Sequence, residues 1–148
     1  MNASIQELNL EYVILFVVSG VPITITPTSI ANAINCEEEG VVLDMLFWDS
    51  YLSLQLIFED ISDLSKVSSL NSKALVWYHL LNSNFLPKNK DLTYLDIDEK
   101  SLLLLLNSDL KIDLPQVMFD YLKMNLTSFK EGKSCFIPYG RVLSKLFI

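Results

Sequence analysis

Two spacings of apolar residues divide the chain. Near the front, Tyr12 to Val18 is a β-branched and aromatic run, and Val21-Pro22-Ile23-Thr24-Ile25-Thr26 alternates apolar with polar side chains. Alternation at period two sends successive side chains to opposite faces, as a half-buried strand requires. Ser19-Gly20 between the runs predicts a hairpin turn. Pro22 has no N–H to give a ladder and so suits an edge. Residues 1–10 read as a lead-in to this hairpin. Thr26-Pro27 then has the form of a helix start, Thr as N-cap and Pro at the first helical position. Ile30, Ala31 and Ile34 carry a short helix to about Cys36. Glu37-Glu38-Glu39-Gly40 reads as a solvated loop, because three acids at a helix C-terminus would oppose its dipole.

Beyond this point the helical period dominates. Residues 41–61 are apolar and aromatic with acids interspersed, and fit either a helix through positions 45, 48, 52 and 56 or a strand over 41–48. Ser62 to Lys73 is a Ser-rich loop. Ala74 to Phe85 places Ala74, Trp77, Tyr78, Leu81 and Phe85 on one helical face, with His79, Asn82 and Ser83 on the other. Leu86-Pro87 stops it. Asp96 and Glu99 form a capping box ahead of a helix reaching about Leu106, apolar nearly all round and therefore central. Asp113-Leu114-Pro115 opens a helix to about Phe129, with Val117, Met118, Tyr121, Leu122, Met124 and Phe129 as its apolar face and Gly132 as its stop. Pro138 starts the last helix, Tyr139 to Phe147. The pattern predicts a mainly α (α+β) fold: one helical domain over residues 11–148, of about five to six helices with a small N-terminal β-hairpin.

Composition narrows the function. The 148 residues are 51% hydrophobic and 20% charged. A chain of that size buries roughly 68–70% of its unfolded surface, which excludes wholesale disorder and a disulfide-stapled miniprotein. Eleven basic against eighteen acidic residues give a net charge of −7, which disfavours phosphate-backbone binding. The only close basic group is Lys88, Lys90 and, further off, Lys100, and a local patch would need folding to bring Lys88, Lys90, Arg141 and Lys145 together. Cys36 and Cys135 lie far apart with no C-x-x-C pairing, as free thiols do in a reducing compartment. The apolar run Val13 to Val18 is too short for a bilayer, which takes about 20 residues, and Glu7 and Glu11 precede it where a signal peptide has basic residues. The expectation is a soluble intracellular protein, cytoplasmic or nuclear, without a membrane partner.

Candidate chemistry is sparse. His79 is the only histidine, so any Ser-His-Asp or Cys-His arrangement must use it, and its predicted place is a solvent-facing side of a helix. One histidine and two distant cysteines do not supply the usual structural zinc ligands. Among the acids, Asp96, Asp98 and Glu99 have a capping role, while Asp44, Asp49, Glu59 and Asp60 fall on polar sides of an amphipathic stretch. Asp-Thr-Gly and Asp-Ser-Gly do not occur, and glycines at 20, 40, 132 and 140 form neither a G-x-x-x-x-G-K nor a G-x-G-x-x-G loop. Trp48, Trp77, Tyr78 and Phe85 are spaced as core residues rather than as a stacking platform. The basic, amphipathic stretch Tyr139 to Ile148 reads as a last helix docking its apolar face. No catalytic, metal-binding or cofactor-binding residue is expected, and no small-molecule ligand.

An ordered set of motifs does resemble a known family. Gly20-Val21-Pro22-Ile23-Thr24-Ile25-Thr26-Pro27 with Ile30 is similar to the "G-V-x-I-x-F-[ST]-P-x-x-I" stretch of the plant transposon protein domain, a retroelement-associated family. Lys73-Ala74-Leu75-Val76-Trp77-Tyr78 with Asn82-Ser83-Asn84-Phe85-Leu86-Pro87 is similar to its "A-x-x-W…N-x-x-L-x-P" block. Asp98 to Leu106, Ile112-Asp113-Leu114-Pro115 and Ile137-Pro138-Tyr139-Gly140-Arg141-Val142-Leu143 resemble its leucine-rich helix, its "I-[DN]-[LV]" helix start and its closing stretch. The resemblance runs from about Val17 to the end, is weak over 41–61, and implies a copy truncated at its C-terminal end. Its positions are core and helix-punctuation positions, so it transfers no catalytic residue. It implies a plant transposable-element-derived, non-enzymatic module for protein interaction or assembly, with a protein partner or self-association; the alternative is a nucleic-acid-associated module using Lys88, Lys90, Arg141 and Lys145.

Overall fold

The computed structural model of the chain describes residues 2–8, 11–42, 54–86, 92–108, 110–133 and 137–148. Among the described residues three strands, β1 (Asn2–Leu8), β2 (Glu11–Val18) and β3 (Val21–Ile25), precede five α-helices. The helices are α1 (Pro27–Ile34), α2 (Ser72–Leu80), α3 (Ile97–Asn107), α4 (Leu114–Lys130) and α5 (Gly140–Leu146). The architecture is mixed α+β. The chain groups into two compact units: Met1–Glu38 with Asp113–Ile148, and Glu39–Ile112.

The first unit is built on an antiparallel sheet of order β1-β2-β3. The hairpin of β2 and β3 is as expected, with Val18 opposite Val21. Ser19 and Gly20 between them have φ of 52° and 81°, the two left-handed residues of a type I′ turn, whose twist matches that of the strands. The hairpin is nevertheless only part of the sheet. Residues 2–8, expected as a lead-in, pair with β2 from Asn2↔Val17 to Leu8↔Glu11.

Even-numbered residues of β2 share one face, and there Ile14 and Phe16 are 0% exposed. The register sets Ile5 and Ile25 on either side of Ile14, and Ala3 and Ile23 on either side of Phe16. Removing each such large side chain from water contributes roughly 1.5–3 kcal/mol. Phe147, just past α5, lays its ring 5.3 Å from that of Phe16. α1 packs on α4 and α5, and α4 reaches β1.

Local chemistry fixes the helix ends. Thr26 Oγ1 accepts from the Ser29 amide at 3.2 Å, and Ser29 Oγ accepts from the Thr26 amide at 2.9 Å. The box therefore forms with Ser rather than Glu at its far end. Asp113 accepts from the Gln116 amide at 3.1 Å to start α4. At its end Gly132, φ 74°, donates to Phe129 O at 3.0 Å, and Lys133 donates to Ser128 O at 3.1 Å, which is a Schellman motif.

The buried side of α4 is Pro115, Val117, Met118, Phe119, Leu122, Asn125 and Leu126. The expected face included Met124 and Phe129, which are 46% and 61% exposed. At about 100° per residue Met124 lies at the margin of the buried arc, about 20° beyond Val117. Phe129 shares that arc's azimuth but sits in the last turn, past the packed length of the helix.

In the second unit α3 is the centre, with Leu102, Leu103, Leu104 and Leu105 all buried. Its capping box is the one read from the sequence: Asp96 Oδ1 accepts from the Glu99 amide, and Glu99 Oε2 accepts from the Asp96 amide, both at 2.9 Å. α2 packs on α3 and buries Ala74 and Tyr78, the phenol donating to Leu92 O at 3.3 Å. Asn71 and Asn107 both donate side-chain amides to the carbonyl of Leu56 at 2.8 Å, tying the start of α2 to the end of α3. Leu54 to Phe58 is a turn that buries Ile57 and Phe58 and leaves Leu56 exposed, which removes Leu56 from the helical stripe considered for 41–61. The remainder of that stripe, 43–53, lies outside the described residues.

The helix expected to run to Phe85 changes pitch instead. Leu81–Phe85 is π-helical, closed by Leu86 N donating to Leu81 O at 2.7 Å. Asn82 and Asn84 send side-chain amides to the carbonyls of Tyr78 and Leu80 at 3.2 and 3.0 Å. These bonds occupy acceptors that an α-helix would give to its own backbone, and the ladder widens.

The hairpin turn gives the clearest stability test. Ser19→Asn should raise unfolding stability by about 0.5 kcal/mol, and Gly20→Ala should lower it by about 1 kcal/mol. Urea denaturation measures both; equal stability in the two variants would contradict the type I′ assignment.

Candidate functional site

Of the four basic residues that folding would have to bring together, two can be placed. Lys88 and Lys90 lie outside the described residues. Arg141 and Lys145 stand one turn apart on the exposed side of α5. Lys145 Nζ donates to Ala33 O at 3.2 Å, in the last turn of α1, where a cation complements both the free carbonyls and the helix dipole. That leaves it a structural role. Other lysines sit beside acids: Lys66 is 3.2 Å from Asp63, Lys111 is 2.8 Å from Glu39, and Lys123 is 3.9 Å from Asp120.

His79 is exposed on α2, its ring 5.6 Å from that of Tyr78 in an edge-on arrangement. Cys36 is an exposed free thiol, and Cys135 lies outside the described residues. Among the described residues no group of three His, Cys, Asp or Glu side chains is placed to hold a metal ion. None of their helices is long and apolar enough to cross a membrane.

One groove of about 430 Å³ opens in the first unit, bordered by Glu11, Tyr12, Thr28, Glu38, Asp120 and Lys123. Several of its polar groups are already engaged with one another. Glu38 accepts from Thr28 Oγ1 at 3.0 Å beside the positive end of α1. Asp120 accepts from Gln116 at 3.1 Å, and Lys123 lies 4.2 Å over the Tyr12 ring. The groove thus presents neither a nucleophile with its base nor a converging ligand set.

Two tandem Asp-x-Ser turns shape the loop before α2. Asp60 accepts from the Ser62 hydroxyl at 2.6 Å and its amide at 2.9 Å, and Asp63 accepts from the Ser65 hydroxyl and, at 3.1 Å, from the Ser65 amide. These bonds favour the carboxylate form, the hydroxyl of Ser62 or Ser65 most, and hold both acids below the ordinary value of 3.8. Asp63, with a smaller charge effect, raises Lys66. Burial, with Tyr121 beside it, raises the phenol of Tyr139 far above its usual range.

Among the described residues what remains open is main chain. β1 is an edge strand, and none of Ala3 to Glu7 is buried, so the outer row of its N–H and C=O groups faces away from β2. The other edge, β3, contains Pro22, which has no N–H to offer an added strand. β1 has no Pro, no Lys and no Arg, the usual devices against edge pairing. Sequence reasoning missed this feature, since Ala3, Ile5 and Glu7 do not contrast sharply with Ser4 and Gln6; only the pairing to β2 reveals the strand. Comparison with protein-family models, with curated proteins and with solved structures returned no match.

Ser65→Ala should move the Asp63 titration midpoint upward, toward the ordinary carboxylate value, when followed by NMR. A folded pKa held below the unfolded one adds stability above the unfolded value, and that stability fades as pH falls through the folded pKa. The variant's loss of stability should therefore be complete above about pH 4 and shrink as pH falls through the folded value.

Proposed function

We propose that the chain is a non-enzymatic interaction module, derived from a plant transposable element, that works by accepting an added β-strand at β1. The observation carrying this reading is the unprotected β1 edge, whose main-chain donors and acceptors can give an extended partner both affinity and register. The ancestry is supported by the ordered motifs alone. Their positions fall on the Ser19-Gly20 turn, the Thr26 cap, α3, and the starts of α4 and α5, so what they preserve is punctuation of a fold rather than chemistry of a site. A nucleic-acid module is the weaker reading: Lys145 is held by α1, and the net charge of −7 opposes the phosphate backbone.

Selection of extended peptides from a random library against the immobilised chain tests the edge. Enriched peptides are expected to be β-branched and free of proline, and to shift the amide resonances of Asn2–Leu8 more than any others. Binders that leave those amides unmoved, or no binders at all, would rule the edge out.

A further inference from the structure

We infer that the strand accepted by β1 is β1 of a second copy, paired antiparallel about a two-fold axis through Ile5, so that two three-stranded sheets become one of six. This rests on the reading of β1 as an open edge and names its occupant.

The cross-strand row through Ile14 gives the first argument. Its members are Ile5, Ile14 and Ile25, of which Ile14 and Ile25 are 0% exposed while Ile5 is only half-buried. A two-fold axis at Ile5 sets it against the second copy's Ile5 and continues the apolar row without a break, through the second copy's Ile14 and Ile25. Directly opposed β-branched pairs are among the favourable cross-strand contacts.

Charge gives the second. Glu7 is the one charged side chain of β1. Antiparallel pairing about Ile5 sets Glu7 opposite the second copy's Ala3, and Ser4 opposite the second copy's Gln6, so polar meets polar and the two glutamates lie at opposite ends. Parallel pairing would stack Glu7 on its own copy, which is destabilising.

Closure gives the third. Among the described residues each copy contributes a single open edge, because Pro22 blunts β3. Pairing at β1 uses both open edges at once and leaves a β3 at each margin. The contact is isologous and stops at two, whereas a sheet open at both edges would grow into a fibre.

Light scattering with size exclusion, across the micromolar range, is the test. The wild-type chain is expected as a dimer. Ser4→Lys with Gln6→Lys places like charges opposite each other at both symmetry-related pairs, and should weaken the dimer about tenfold. Ser4→Lys with Gln6→Glu makes those same pairs attractive and should restore it, a rescue that damage to the fold would not allow. A wild-type monomer, or a dimer unchanged by the double lysine variant, overturns the proposal. If the wild type is a monomer that still binds selected peptides at Asn2–Leu8, self-pairing fails while the edge reading stands.

Discussion

β2 sets the terms for the first unit. A strand that buries one face must also have its main chain satisfied on both sides, because a buried unpaired amide or carbonyl costs about as much as a lost hydrogen bond. With Ile14 and Phe16 fully out of water, β2 cannot stand at an edge. β3 meets this need on one side through a two-residue turn, at little entropic cost. β1 meets it on the other, through pairing whose register is fixed by which face of β2 is buried. The helices then cover that face, and Phe147 completes the contact with Phe16. Solving the problem for β2 transfers it outward, to the far sides of β1 and β3. Pro22 settles it for β3; nothing comparable among the described residues settles it for β1.

The second unit solves a different problem. α3 is apolar nearly all round, so packing alone does not select one face or one axial position. Directional contacts at its two ends do so. Asp96 and Glu99 fix the start, and Asn107 reaches the Leu56 carbonyl at the finish. The same carbonyl takes the Asn71 amide, and Asn71 in turn caps α2 through the Ala74 amide at 2.9 Å. One acceptor thus couples two helix termini, and a polar residue at either position specifies geometry that leucine packing leaves free.

How much of this could be read from the residues follows the range of the interactions. The Thr26-Pro27 start, the Asp96 and Glu99 box, the Asp113 cap and the Gly132 stop each depend on a few neighbouring residues, and all were legible. β1 was not, because its identity as a strand comes from a partner across a turn rather than from its own weak alternation. The exposed Phe129 shows the same limit from the other side: periodicity gives the azimuth of a residue, while its depth depends on where the covering elements end. The pitch change at Leu81–Phe85 lay in residues already noted, Asn82 and Asn84, whose amides can reach back four positions. The basic residues shared a sign in the sequence, but Lys145 is committed to a helix end. A charge count carries no information about such partners.

The pattern of satisfied groups bears on what kind of work the chain can do. In the described residues the charged groove, the tandem Asp-x-Ser turns and the lysines named above have their polar atoms engaged locally, so each stabilises the fold and presents little unmet bonding capacity. An edge strand is different in kind. Among the described residues nothing pairs its outer amides and carbonyls, and another strand can engage them while gaining cross-strand packing. Half-buried Ile5 adds an apolar increment at the centre of that row. With the named side chains of the described residues turned inward on the structure, this backbone edge is what supports the reading of an interaction module.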